Sequence, residues 1–129
     1  MRLKILPALM LAVLVTVGGA GLAWAAEPAM VSKTAKGDVL TDSKGITLYV
    51  FDKDAGGQSN CNGKCAENWP PLKAEAGAAA MGKWSVITRA DGSKQWAYGG
   101  KPLYTFIKDK APGDTHGDGV NNVWWLAKP

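Results

Sequence analysis

The chain has 129 residues, 15 Lys or Arg against 11 Asp or Glu, a single His and two Cys. That length suits one domain with a modest core. The lysines are scattered singly, so no basic stripe follows a phosphate backbone, and nucleic acid is not an expected partner.

Arg2 and Lys4 precede an apolar run from Ile5 to Leu22, and Ala23-Trp24-Ala25 ends it ahead of the polar Ala26-Glu27-Pro28. This order predicts a secretory signal peptide over residues 1–25 and a mature domain over 26–129 with no membrane span. No cysteine sits near the cleavage site to carry a lipid. Removing Arg2 and Lys4 leaves 13 basic against 11 acidic residues, so much of the basic balance belongs to the leader. Cys61 and Cys65, an even count in an exported chain, predict a disulfide.

Beyond the leader the chain matches itself at an offset of 55 residues without a gap. Gly45–Asp54 falls on Gly100–Asp109 with six identities in ten positions, and Trp69, Gly37, Ala35 and Val31 fall on Trp124, Gly92, Ala90 and Val86. The identities concentrate on Gly, Leu, Tyr, Phe, Asp and Trp, which predicts a duplication: one copy over about 31–69, a second over about 86–124, joined by residues 70–85.

The local signals in both copies are β. Val39-Leu40 and the apolar run Ile46–Phe51 flank a turn cluster, Asp42–Gly45. A brief helical turn fits Lys64–Asn68, with Pro70-Pro71 to stop it. Asp91-Gly92 predicts a two-residue hairpin between Trp84–Thr88 and Lys94–Tyr98. Gly99-Gly100 leads to a strand over Pro102–Phe106, and Val123–Leu126 is the last. Leu48 and Val50 alternate with Tyr49 and Phe51, so this strand should be buried on both faces. The expected fold is all-β: two tandem, pseudo-symmetric antiparallel repeats packed into one small domain, with the Tyr-x-Phe strands near its middle.

Tyr49-Val50-Phe51-Asp52-Lys53-Asp54 and Tyr104-Thr105-Phe106-Ile107-Lys108-Asp109 each read Tyr-x-(Phe/Trp/Tyr)-x-x-Asp. With Cys61-x-x-x-Cys65 leading to Trp69-Pro70-Pro71, and Pro112-Gly113-Asp114-Thr115 leading to Trp124, the chain resembles the bacterial secreted repeats of unknown function, many of them predicted lipoproteins. The resemblance implies an envelope location and a duplicated unit, and it implies no activity. The lipobox cysteine of the lipoprotein members is missing here.

Each candidate side chain has a structural reading that its chemistry does not exceed. Tyr49, Phe51, Tyr104, Phe106, Trp69 and Trp124 are expected to be core aromatics, each supplying burial of roughly 25 cal/mol per Å². Asp54 and Asp109 should accept N–H groups of the turns that follow them, since nothing in the sequence brings them to each other or to a nucleophile. Cys61 and Cys65, one residue further apart than a thioredoxin-like pair, suit a structural bridge across one turn. Asp114–Gly119 resembles the opening of a calcium loop, but His116 stands at its third position and Trp125 at its twelfth, which makes it a glycine-rich turn. His116 shows no ligand spacing toward Met30, Met81 or the cysteines. No haem, P-loop or nucleophile-elbow motif occurs. The sequence therefore predicts a periplasmic or secreted module without catalysis, cofactor or metal, whose partner is an envelope component or a small ligand. The alternative is a redox or metal-handling protein built on Cys61 and Cys65.

Overall fold

The computed structural model describes residues 27–129. The expected leader and its cleavage after Ala25 lie outside the described residues. In chain order the elements are β1 (Met30–Thr34), β2 (Gly37–Thr41), β3 (Tyr49–Phe51), the helix α1 (Lys64–Asn68), β4 (Trp84–Thr88), β5 (Lys94–Tyr98), β6 (Lys101–Pro102) and β7 (Trp124–Leu126). All strand pairing is antiparallel, in the sheets β1-β2, β3-β7 and β4-β5-β6. Among the described residues no helix is long and apolar enough to cross a membrane.

The repeats interlock at one pair of residues. Tyr49 N–H donates to the Tyr104 carbonyl at 2.7 Å, and Tyr104 N–H donates back to Tyr49 at 3.0 Å. The two motif tyrosines thus exchange equivalent bonds between the copies. Tyr49 also stands opposite Leu126 in the β3-β7 pair, while Tyr104 bridges to Pro71, the residue one repeat before Leu126. Each copy therefore completes the sheet of the other. Only a bridge forms at Tyr104, so the strand expected over Pro102–Phe106 shrinks to β6. Its partner there is Pro70-Pro71, which lacks the N–H groups a longer ladder needs.

The hairpins β1-β2 and β4-β5 correspond, with one adjustment. Leu40 N–H donates to the Ala127 carbonyl, and the matching bond runs from Trp96 to Leu72, so the offset here is 56 on β5 and 55 elsewhere. The extra residue lies in the turn. Thr34 pairs with Gly37 across two residues, whereas Arg89 N–H reaches the Ser93 carbonyl across Ala90-Asp91-Gly92. Asp91-Gly92 is thus part of a three-residue loop and not the expected two-residue turn. Asp91 Oδ1 accepts Ser93 N–H, and Gly92 takes φ 88°, a backbone state costly for other residues. The ungapped match in the sequence hides this insertion, which the shorter β5-β6 connection cancels.

Strand β3 feeds two separate apolar clusters, as its two-faced pattern predicts. Tyr49 enters a cluster with Val39, Cys61, Trp69, Tyr104, Phe106, Trp124 and Leu126. Leu48 enters the other, with Leu40, Trp84, Trp96 and Leu103, and Val50 packs against it. Helix α1 has no buried residue, although Cys65 packs against the first cluster. The bond between Cys61 and Cys65, Cα atoms 5.1 Å apart, pins it there.

Candidate functional site

In the first cluster the aromatic rings form a single column. Phe51 stacks on Trp124 at 4.2 Å, Trp124 on Trp69 at 3.8 Å with 4° between planes, and Trp69 on Phe106 at 4.0 Å. The two indoles come from equivalent positions of the two copies. Tyr49 meets Trp69 edge-on at 5.5 Å, and Tyr104 meets Trp124 edge-on at 5.1 Å. Offset and edge-to-face pairs of this kind add about 0.5–1.5 kcal/mol each beyond their buried area. Phe106 is buried, while Phe51 is half-buried and caps the column's outer end.

The motif aspartates cross over between copies. Tyr49 Oη donates to Asp109 Oδ2 at 2.5 Å, and Tyr104 Oη donates to Asp54 Oδ2 at 2.6 Å. Each phenol thus meets the carboxylate of the other repeat. Each aspartate also takes a loop N–H, as expected: Asn60 donates to Asp54 Oδ1 and His116 to Asp109 Oδ1. Burial, and next the neighbouring carboxylate, push both phenols well above the ordinary tyrosine range. Both are neutral donors at any physiological pH.

Around this shared bond the two ends differ. Beside Tyr104, Ser59 Oγ lies 2.6 Å from the phenol oxygen. Buried Arg89 donates to Ser59 Oγ, Gln95 Oε1 and the Cys61 carbonyl at 2.6–3.0 Å. Gln95 in turn donates to the Leu103 carbonyl. Burial raises the Asp54 pKa, against the lowering effect of the Tyr104 phenol, Asn60 N–H and Arg89. Beside Tyr49, among the described residues, no buried cation plays this part. Gly117 N–H donates to Tyr49 Oη at 3.1 Å, and His116 Nδ1 sits 3.1 Å from Asp109 Oδ1. The Asp109 carboxylate has no exposed surface, whereas His116 is 62% exposed.

Several of these residues carry no signal in the sequence. Arg89 and Gln95 lie in a hairpin whose pattern reads only as strand. Gly117 is fixed by packing: an added Cβ would stand 2.8 Å from the Trp69 ring and 2.9 Å from that of Tyr49. His116, which the sequence places in a loop without ligand spacing, is exposed yet tied to a buried carboxylate.

Among the described residues, Asp109, Asp114 and His116 bring ligand atoms within 4.8 Å of one another. The carboxylates are already in use. Asp109 accepts from Tyr49 and His116, and Asp114 Oδ2 accepts the N–H groups of Lys110 and Ala111. Those two N–H groups hold the Asp114 carboxyl below its usual range. The cysteines are closed on each other, leaving no free thiol in the chain.

A family model described as a secreted repeat of unknown function matches residues 30–73 and again residues 85–128. No curated protein and no solved structure matches the chain.

Proposed function

The chain belongs to this family of secreted repeats of unknown function, and from that premise we propose that it is a non-catalytic binding or structural module of the bacterial envelope. The observation that carries this reading is the crossover of the motif. All four polar groups of Tyr49, Asp109, Tyr104 and Asp54 are spent on bonds between the repeats and to adjoining loops. A phenol and a carboxylate locked in this way fasten two half-domains together, and they present neither a free nucleophile nor an open acid–base pair to a substrate. Partner recognition then falls to the surface, where an envelope component or a small ligand binds in the periplasm.

The test uses the full chain expressed in a bacterial host. N-terminal sequencing of the periplasmic fraction is expected to give a start at Ala26. The mature protein is then titrated with peptidoglycan fragments and with anionic phospholipid vesicles, and assayed for hydrolysis of the same compounds. Saturable binding without turnover supports the module. Turnover that disappears in Asp109→Asn or Asp54→Asn protein with an intact melting transition would overturn it.

A further inference from the structure

The aromatic column and its two phenol–carboxylate pairs have the parts of a charge relay. The geometry points to a further activity: the Trp69–Trp124 pair accepts the attack of one-electron oxidants and passes the oxidising equivalent to Tyr49 and Tyr104, which lose their protons to Asp109 and Asp54. The domain would then act as a stoichiometric sink for radicals in the envelope, an activity separate from any partner binding.

Three features place the step. The indoles are parallel at 3.8 Å, so a positive hole formed on one is shared by both. The two tryptophans are 5% and 2% exposed, yet both line an open cleft of about 480 Å³ with Phe51, Lys53, Cys65 and Asn68, where a small radical reaches them. Each indole has a phenol ring edge-on at 5.1–5.5 Å, and each phenol hydrogen is already directed at a carboxylate oxygen 2.5–2.6 Å away.

The balance is simple. The oxidant gains one electron from the indole pair, leaving an indole radical cation. One electron then moves from the phenol to the indole, restoring neutral tryptophan. The phenolic O–H bond breaks as it does so, and its proton joins the aspartate. The product is a neutral tyrosyl radical beside a protonated carboxyl. At the Tyr49 end this carboxyl is buried beneath His116, whose side chain is 62% exposed.

Tyr98 is the internal control. Its ring packs against Trp84 at 4.7 Å in the other cluster, and its hydroxyl has no carboxylate partner among the described residues. Pulse radiolysis with azide radicals, which oxidise tryptophan first, reads the transfer as decay of the indole radical and growth of the tyrosyl radical. In the mature protein the growth should be first order, independent of protein concentration, and slower in D2O. Asp54→Asn combined with Asp109→Asn keeps an acceptor oxygen at each phenol but removes the base that takes its proton, and should slow the transfer by about a hundredfold, the low end of what a positioned base contributes. Tyr49→Phe or Tyr104→Phe alone should lower the tyrosyl yield, while Tyr98→Phe leaves rate and yield unchanged. Should the aspartate variants fail to fold, the D2O comparison on the unaltered protein decides. Equal rates in H2O and D2O, transfer that scales with concentration, or loss of the signal in Tyr98→Phe would each overturn the relay.

Discussion

The Tyr104–Asp54 end and the Tyr49–Asp109 end share one bond and differ in what encloses it. At the first, Arg89 brings a positive charge inside and spends its donors on Ser59, Gln95 and the carbonyl of Cys61. At the second, the enclosing parts are Gly117 N–H and the ring of His116, which reaches solvent. One end is closed by a buried network next to the disulfide, and the other is open through one imidazole. Duplication therefore supplies a symmetric fastener, and the loops around it make the ends unequal. A buried network that is fully satisfied fixes geometry but tolerates the loss of a member badly.

That contrast sets the largest expected effect. Arg89→Ala would strip a hydrogen-bond donor from Gln95, Ser59 and the Cys61 carbonyl and leave Asp54 without its nearby cation. Breaking a buried charge network in this way costs about 3–5 kcal/mol, enough to unfold a domain of marginal stability. The position one repeat earlier is Thr34, whose exposed hydroxyl bonds only within its own turn. Thr34→Ala should change stability by less than about 1 kcal/mol. Urea melts of the two variants measure the asymmetry, and equal losses would remove it.

The crossover itself is tested by double-mutant cycles. Tyr49→Phe and Asp109→Asn should each cost about 1.5–3 kcal/mol, the range for a hydrogen bond to a charged group. Combined, they should show a coupling energy of about 0.5–3 kcal/mol. Tyr49→Phe with Asp54→Asn, which share a repeat but no hydrogen bond, should be additive. Coupling within a repeat and none across would contradict the exchange.

How much of this was legible follows from where each contact comes from. The strands β4 and β5, helix α1, the two-faced β3 and the cysteine bridge all rest on local signals: alternation, a proline stop, a spacing of four. The aromatic cluster was legible as a core, because six large rings in a small chain have nowhere else to go. Its stacking order was not, since it depends on contact between Trp69 of one copy and Trp124 of the other. The repeat motif itself misleads about the partner of each aspartate. Tyrosine and aspartate lie five residues apart in each copy, yet each bonds across 50 or 60 residues to the other copy. Self-similarity shows that two units exist, while exchange between them leaves no trace in either unit. Arg89 and Gln95 stayed hidden for a related reason. The hairpin insertion that shifts β5 by one position puts Gln95 where Val39 stands in the first copy.

The disulfide sharpens the comparison at the closed end. Replacing Cys61 and Cys65 with serine should cost about 2 kcal/mol on the chain-entropy account of a short loop. The effect should not stay local to α1, because the Cys61 carbonyl holds Arg89 at 2.6 Å. Hydrogen exchange is expected to quicken at Asn60 and Tyr104 and to remain unchanged at His116 and Gly117. Matching changes at both ends would mean that the bridge stabilises the domain as a whole and has no special tie to Arg89.

The smallest effect is a pH dependence belonging to Asp54. Burial lifts its pKa in the folded protein above the ordinary 3.8, so the folded state holds that proton more tightly than the unfolded chain does. By linkage, unfolding free energy falls with pH wherever the folded state binds more protons. The stability that protonated Asp54 contributes is thus fully present below 3.8 and is lost as pH rises from there through the folded value. Asp54→Asn keeps an oxygen to accept the Tyr104 hydroxyl and cannot ionise. The difference in unfolding free energy between this variant and the unaltered protein should therefore grow, in favour of the variant, as pH rises through that window and then level off. Because Asp54 is only half-buried and Arg89 partly offsets its charge, the slope should be shallow. Urea melts at intervals across the window give it, and Asp91→Asn supplies the opposite sign: that carboxyl, exposed and bonded to Ser93, has a lowered pKa, so its contribution is lost as pH falls. A difference for Asp54→Asn that instead shrinks with rising pH would show Arg89 outweighing burial, its charge acting on Asp54 across the hydrogen bonds of Ser59 and Tyr104.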